Sequence, residues 1–446
     1  MKTFSNIRAA FLLSISFLVS AALLVSAALL AGATLASNVQ ANSGHSAHKA
    51  SNKSLVKECL KPAALPSVHC GKAPTAVFAT KENKDNEGNK ANTAKLYVVF
   101  SQNGHVYLTT SIDNGKSFKP SIAVNRTPEL IYDNGENRPK VVLGKSGLVY
   151  VSWTHKTPGR YSGDVRFSRS VDDGKTFDTP ITINSDRAII SHRFESMSLD
   201  QQGRIFLIWV DKRDQAKAKN NQQDYAGVSL YYAVSDDFGK SFQDNRKLVD
   251  HSCECCRIAV DQDSSGRVVA LWRHVYPGNI RDHAIAYVNP QSTPIQGLPL
   301  RATDDDWKIE GCPHHGPDLS IDSQNRAHLA WFTKGETNKG LMYGRFDFTE
   351  NKTQLIQSID RAPSASRPQV QVMGNHVYLM WKRFNGEQLD LLISHSADEG
   401  KTWSDSKTIA TTKNASDHPD WITNNNKLFA VWHTQSEGLR LIAVPQ

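Results

Sequence analysis

The sequence predicts an all-β chain folded as a β-propeller of four-stranded antiparallel blades, about seven of them with six as the alternative count. Three observations predict it. A β-rich run ending in an aromatic residue recurs through the chain: KLYVVF at Phe100, LVYVSW at Trp153, RIFLIW at Trp209, RVVALW at Trp272, RAHLAW at Trp331, HVYLMW at Trp381 and KLFAVW at Trp432. The intervals are 53, 56, 63, 59, 50 and 51 residues, a period that belongs to propellers when the units are strands. Helical periodicity of useful length is absent, and a Ser-x-Asp-x-Gly-x-x-Phe/Trp turn recurs in phase with the strands.

The N-terminus stands outside this pattern. Lys2 and Arg8 flank an uncharged Ala/Leu/Val/Ser-rich stretch from Ala9 to about Ala36, with small residues after it at Ala36 and at Val39-Gln40-Ala41. It reads as a signal peptide over residues 1–41, with an uncleaved anchor as the rival. Residues 42–72, polar and poor in large hydrophobes, read as a tether carrying His45 and His48. The propeller is expected over 73–446. The protein is thus expected to be exported, periplasmic or extracellular, monomeric, and without membrane contact beyond the signal segment.

Within each unit the order is strand A, a turn, strand B ending at the aromatic, a loop, strand C, a turn and strand D. The second unit shows them as RPKVVL, LVYVSW, DVRFSRS and PITIN, with Gly, Asn and Asp at the breaks. The C–D turns read SIDNGKSF (Ser111 to Phe118), SVDDGKTF (Ser170 to Phe177), SDDFGKSF (Ser235 to Phe242) and SADEGKTW (Ser396 to Trp403). In such a turn the Asp bonds local amides, the Gly takes a positive φ and the aromatic packs back between strands.

These four segments resemble the Asp-boxes of the sialidase superfamily, and the resemblance covers about Ala73 to Gln446. It implies that Asp113, Asp172, Asp237 and Asp398 are structural and that binding occurs on the opposite face, where the D–A and B–C loops emerge. Just ahead of the A strands stand Arg138, Arg193, Arg257 and Arg367, lying 15, 16, 15 and 14 residues before the aromatic of their own B strand. In register, they are the candidate binding residues for a carboxylate, sulfate or phosphate. The resemblance equates them with the arginines that hold the carboxylate of sialic acid. The competing reading pairs each with a local acid such as Glu136, Glu195 or Asp282, gluing blades together.

The family's Phe/Tyr-Arg-Ile/Leu-Pro segment has no counterpart in the first blade; the nearest are Arg138-Pro139 and Arg367-Pro368. Sialidase-type hydrolysis uses a tyrosine nucleophile with a carboxylate partner and an acid/base aspartate. The catalytic candidates are Tyr132, Tyr225, Asp224 and Asp282, with Tyr161, Tyr276 and Asp133 also on loops of that face. This reading requires no cofactor, and its partner is an anionic glycan or other small anionic ligand. The formal charge of +8 suits such a ligand, while the absence of nucleic-acid motifs argues against nucleic acid.

The most unusual segment is HSCECCRI, with His251, Cys253, Glu254, Cys255, Cys256 and Arg257, entering the fourth blade. The next D–A loop, EGCPHHGP, carries Cys312, His314 and His315, and the B–C loop between them carries His274, Arg281, Asp282 and His283. Disulfides are the first reading, one from Cys253, Cys255 or Cys256 to Cys312, beside a separate Cys59–Cys70 loop. The second reading is a metal site, Cu or Zn, formed by Cys253, Cys255, Cys256, Cys312, His314 and His315.

Overall fold

The computed structural model describes residues 59, 65–79, 94–291, 299–424 and 426–444. The expected signal segment and most of the expected tether lie outside them. The described chain forms seven antiparallel sheets in sequence order, over 72–123, 140–182, 192–252, 259–301, 318–360, 366–412 and 420–443. Six are four-stranded and the seventh has three strands among the described residues, so the count is seven. No helix among the described residues is long and apolar enough to cross a membrane.

Sandwiching each blade between two others dictates the strand compositions. Strand B of the third blade (Ile205–Asp211) and of the fourth (Val268–Arg273) are buried at every position, because both faces are covered. Alternate residues serve the two neighbours. Val269 and Leu271 pack towards the fifth blade, whereas Trp272 packs into the third. The same holds around the ring: Trp153 faces the first blade, Trp209 the second, Trp331 the fourth, Trp381 the fifth and Trp432 the sixth. Phe100 faces the seventh blade, in a cluster with Ile422, Phe429 and Val431 that closes the ring.

Burying an indole also demands a partner for its N–H. Trp209, Trp331 and Trp381 donate to Asp211 (2.8 Å), Asp305 (2.7 Å) and Asp360 (2.8 Å). Trp153 donates to Glu129 and Trp432 to the carbonyl of Asp417.

The four Ser-x-Asp-x-Gly turns repeat one hydrogen-bond set. In the first, Ser111 donates to Asp113 (2.7 Å), Gly115 N donates back to Ser111 Oγ (2.9 Å), and Asp113 accepts from Ser117 N (2.9 Å). The glycines take φ of 78°, 82°, 78° and 86°. Each also seats against the preceding blade, Gly115 on Leu441, Gly174 on Leu108, Gly239 on Phe167 and Gly400 on Tyr343. The turn is therefore a blade-to-blade contact as well as a local device.

Two differences from the sequence reading stand out. Helix α1 (Arg213–Asn220) fills the B–C loop of the third blade. Alanines and long polar residues favour it, and Asp214 at its start and Lys217 and Lys219 at its end complement the dipole. Only Ala218 is buried, so no apolar period marked it. The tether's last residues are also part of the fold, with Val68 buried among Phe78, Phe100 and Leu439; the expected Cys59–Cys70 disulfide is present.

Candidate functional site on the loop face

Antiparallel order places the D–A and B–C loops at one end of the ring and the C–D turns at the other. At the loop end the four candidate arginines divide. Arg138 donates to the carbonyls of Gly135 (3.0 Å), Pro74 (3.0 Å) and His418 (3.0 Å) and pairs with Asp417 at 3.3 Å. Arg257 donates to the carbonyls of Pro317 (2.9 Å) and Pro368 (2.6 Å). Arg367, at φ 58°, donates to Glu136 and to the carbonyl of His314. These three tie the A-strand entrances of different blades to one another.

Glu136 is the hub of that network. Buried, it accepts from Arg257 N at 3.1 Å and from Arg367, with His418 Nδ1 at 3.7 Å. Burial works to raise its pKa, but the charges of Arg257 and Arg367 outweigh it and hold the carboxyl below the usual range. At Asp318 and Lys140 burial prevails over the opposite charges of Arg257 and Glu195. Burial raises Asp318 to about 7 and lowers Lys140 to about 8.

Arg193 is different. Its guanidinium carbon lies 4.9 Å from the ring of Phe194, 5.0 Å from Tyr132 and 5.5 Å from Tyr161, and Nε donates to Ser191 Oγ at 2.9 Å. Burial works to lower its pKa, and the nearby charge of Glu254 opposes that. Among the described residues no carboxylate forms an ion pair with it; Glu254 is instead paired with Lys212, which precedes helix α1. Tyr161 is 56% exposed, and the Arg160 guanidinium also lies 5.1 Å from its ring.

The remaining catalytic candidates are dispersed. Tyr225 donates to Asp250 and contacts Ser229 at 2.6 Å beside helix α1, where burial and Asp250 push its hydroxyl pKa up, the wrong direction for a nucleophile. Asp224, its neighbour in sequence, is exposed. Asp282 is buried, pairs with Arg301 at 2.6 Å and accepts from the Asp306 amide at 3.0 Å, a loop-fixing role. Tyr276 lies under Arg301, 4.8 Å from its guanidinium. Asp133 is paired with Lys72 at 3.7 Å.

The cysteine block departs from its first reading. Cys253, Cys255, Cys256 and Cys312 are free thiols. Cys253 Sγ lies 3.7 Å from Cys255 Sγ and 3.9 Å from Cys256 Sγ, far beyond the roughly 2.05 Å of a bonded pair. Cys312 approaches the group from the next D–A loop, its Sγ 3.9 Å from Glu254 Oε1. Hydrogen bonds from Cys255 and Cys256, assisted by the charge of Arg273, pull the Cys253 pKa well down, while Cys255 and Cys256 are pushed up. The histidines are not drawn in: His314 is exposed at φ 52°, and His315 stacks on Phe332 at 4.3 Å.

Arg273 escaped the sequence reading. It is 1% exposed and donates to the carbonyls of Arg281 (2.5 Å), His315 (3.0 Å) and Phe332 (2.9 Å). The residues after the seven B-strand aromatics are Ser101, Thr154, Val210, Arg273, Phe332, Lys382 and His433. Aligning the blades at that position would have singled it out.

Surface grooves of about 670 Å³, between the C–D turns of the first two blades, and about 580 Å³, beside Cys59–Cys70 and Asp133, are lined by neither Arg193 nor the cysteines of the CECC segment.

No protein-family model matches the chain, and no curated protein sequence matches it. Solved structures do. A family PL25 polysaccharide lyase, an ulvan lyase bound to -[GlcA(1-4)Rha3S]-, is 11% identical with a TM-score of 0.52, over 84% of this chain and 94% of that one. The polysaccharide lyase Uly1 is 12% identical with a TM-score of 0.50, over 84% and 100%. The Hadza microbial sialidase Hz136 is 13% identical with a TM-score of 0.45, over 80% and 74%. At these identities the likeness is one of fold.

Proposed function

We propose that this chain is an exported, sialidase-like Asp-box propeller that binds an anionic glycan on its loop face. The observation that carries the reading is Arg193, a guanidinium held by aromatic faces with no carboxylate partner among the described residues, beside the exposed ring of Tyr161. A planar bidentate donor suits a sugar carboxylate or sulfate, and an exposed aromatic ring suits a sugar ring. Arg138, Arg257 and Arg367 are held by internal partners that set the positions of the D–A loops. The repeated Ser-x-Asp-x-Gly turns and a fold shared with a lyase solved in complex with -[GlcA(1-4)Rha3S]- support a carbohydrate as ligand.

Hydrolysis is the secondary part of this reading. Of the candidate tyrosines, Tyr132 lies against Arg193, its ring 5.0 Å from the guanidinium carbon, and it is the residue on which sialidase-type turnover would rest. The test pairs two measurements on the purified chain: affinity for acidic and neutral oligosaccharides, and release of a fluorophore from an α-sialoside. Preference for the acidic sugars, lost in Arg193→Ala, supports binding. Fluorophore release lost in Tyr132→Phe adds catalysis, and equal affinity for acidic and neutral sugars removes the reading.

A further inference from the structure

Outside that reading, the loop face holds a group of sulfurs that the glycan site does not use. We propose that Cys253, Cys255 and Cys256, with Cys312 closing the set, bind one soft d10 metal ion through their thiolates. The inference stands independently of the glycan reading.

Geometry carries it. The three buried sulfurs lie within 4.8 Å of one another, at 3.7 and 3.9 Å for the two pairs that include Cys253. A tetrahedral thiolate site with metal–sulfur bonds of about 2.3 Å has sulfur–sulfur edges of about 3.8 Å, so an ion fits between them with little movement. Buried cysteines are often no more than small hydrophobes. These three, however, form a cluster of their own, apart from the seven inter-blade cores.

Their surroundings are cationic. Arg281 Nη1 lies 3.6 Å from Cys253 Sγ, and its Nε donates to Asn279 at 2.8 Å. Arg273, buried behind them, donates only to main-chain carbonyls. Neither arginine forms an ion pair with a carboxylate among the described residues. Four thiolates on a divalent ion, or three on a monovalent one, leave a charge of −2, which the two guanidiniums oppose. Removing a buried cation's counter-charge is costly, so the pair of arginines is better matched to a metal–thiolate centre than to neutral thiols.

The frame is rigid enough to hold such a centre. Cys253 N donates to Arg273 O at 2.9 Å, and Ser252 bridges to His274, fastening the CECC segment to strand B of the fourth blade. Cys312 arrives from the connection to the fifth blade and is the exposed member. A four-thiolate ion such as Zn2+ requires it, whereas a three-thiolate ion such as Cu(I) does not.

The experiment uses the full chain, reduced and stripped of metal under anaerobic conditions. It is titrated with Co2+ as a visible probe of thiolate coordination, then Zn2+, and separately with Cu(I). Expected are one equivalent of metal, thiolate-to-metal charge-transfer absorption, and protection of three or four thiols from alkylation. Cys256→Ser should weaken binding more than about 100-fold, beyond the cost of disturbing an outer partner. Cys312→Ser should abolish Zn2+ binding; retention of Cu(I) in that variant identifies the three-thiolate ion. If Cys256→Ser does not fold, alkylation protection in the unmodified chain and weakened binding in Arg281→Ala decide the matter. Failure of both metals to bind the reduced chain stoichiometrically, or equal binding by Cys256→Ser, overturns the proposal.

Discussion

Arg367, at the entrance of the sixth blade, donates to the carboxylate of Glu136 at the entrance of the second, 231 residues away in sequence. Glu136 also accepts from the Arg257 amide at 3.1 Å, so one buried carboxylate joins three loop-face entrances. Glu136→Gln leaves those guanidiniums without their counter-charge, and breaking a buried pair from one side costs about 3–5 kcal/mol. Thermal melts at neutral pH should show the variant clearly less stable. Because Glu136 titrates below the usual carboxylate range, its contribution is present above its unfolded pKa and is lost as pH falls through the folded one. The gap between the two proteins should therefore narrow in acid, and coincident melts at neutral pH would refute the hub.

Asp318 has the opposite sign. It is half-buried, accepts from Val370 N at 2.8 Å, and has its pKa raised to about 7 because desolvation outweighs the charge of Arg257. The folded state therefore holds a proton that the unfolded state releases, and stability falls as pH rises from about 4 to about 7. Asp318→Asn keeps the acceptor and removes the titration. Its melting temperature should decline less than that of the parent between about pH 5 and about pH 8; parallel declines would count against this.

Gly400 tests the blade-to-blade role of the turns. At φ 86° a side chain is strained, and a Cβ there would also strike the Tyr343 hydroxyl. Gly203, at φ 79° with open space around it, carries the backbone cost alone, about 1–2 kcal/mol. Gly400→Ala should destabilise more than Gly203→Ala in denaturant titrations. Equal losses would mean that the contact with the preceding blade contributes nothing.

These turns also show what was legible in the sequence. Asp113, Asp172, Asp237 and Asp398 act within a few residues of chain, so their geometry was readable from local spacing. The B-strand aromatics were readable because burial on both faces forces the composition. What Arg138 and Arg257 do was not readable, because their partners include carbonyls of Pro74, His418, Pro317 and Pro368 on other blades. Register alone could say that the arginines converge, not that three of them meet internal acceptors while Arg193 meets aromatic rings. The disulfides expected in the cysteine block failed for the same reason, since spacing does not fix the distance between sulfurs.

Tyr161 supplies a milder test of the ligand site. Its ring is exposed and sits over Arg193, so Tyr161→Ala should leave the melting temperature nearly unchanged. Affinity for an acidic oligosaccharide should fall about three- to tenfold, the loss of one aromatic face. Unchanged affinity would place the sugar elsewhere on the loop face.

The central claim is most directly tested by calorimetric titration of a uronate- or sialate-containing oligosaccharide into the parent chain, Arg193→Lys and Arg193→Ala, with melts confirming that each is folded. The account predicts binding by the parent, intermediate affinity in Arg193→Lys, which keeps the charge but not the planar fork, and a loss of about tenfold or more in Arg193→Ala. Binding of equal strength in all three folded proteins would contradict it.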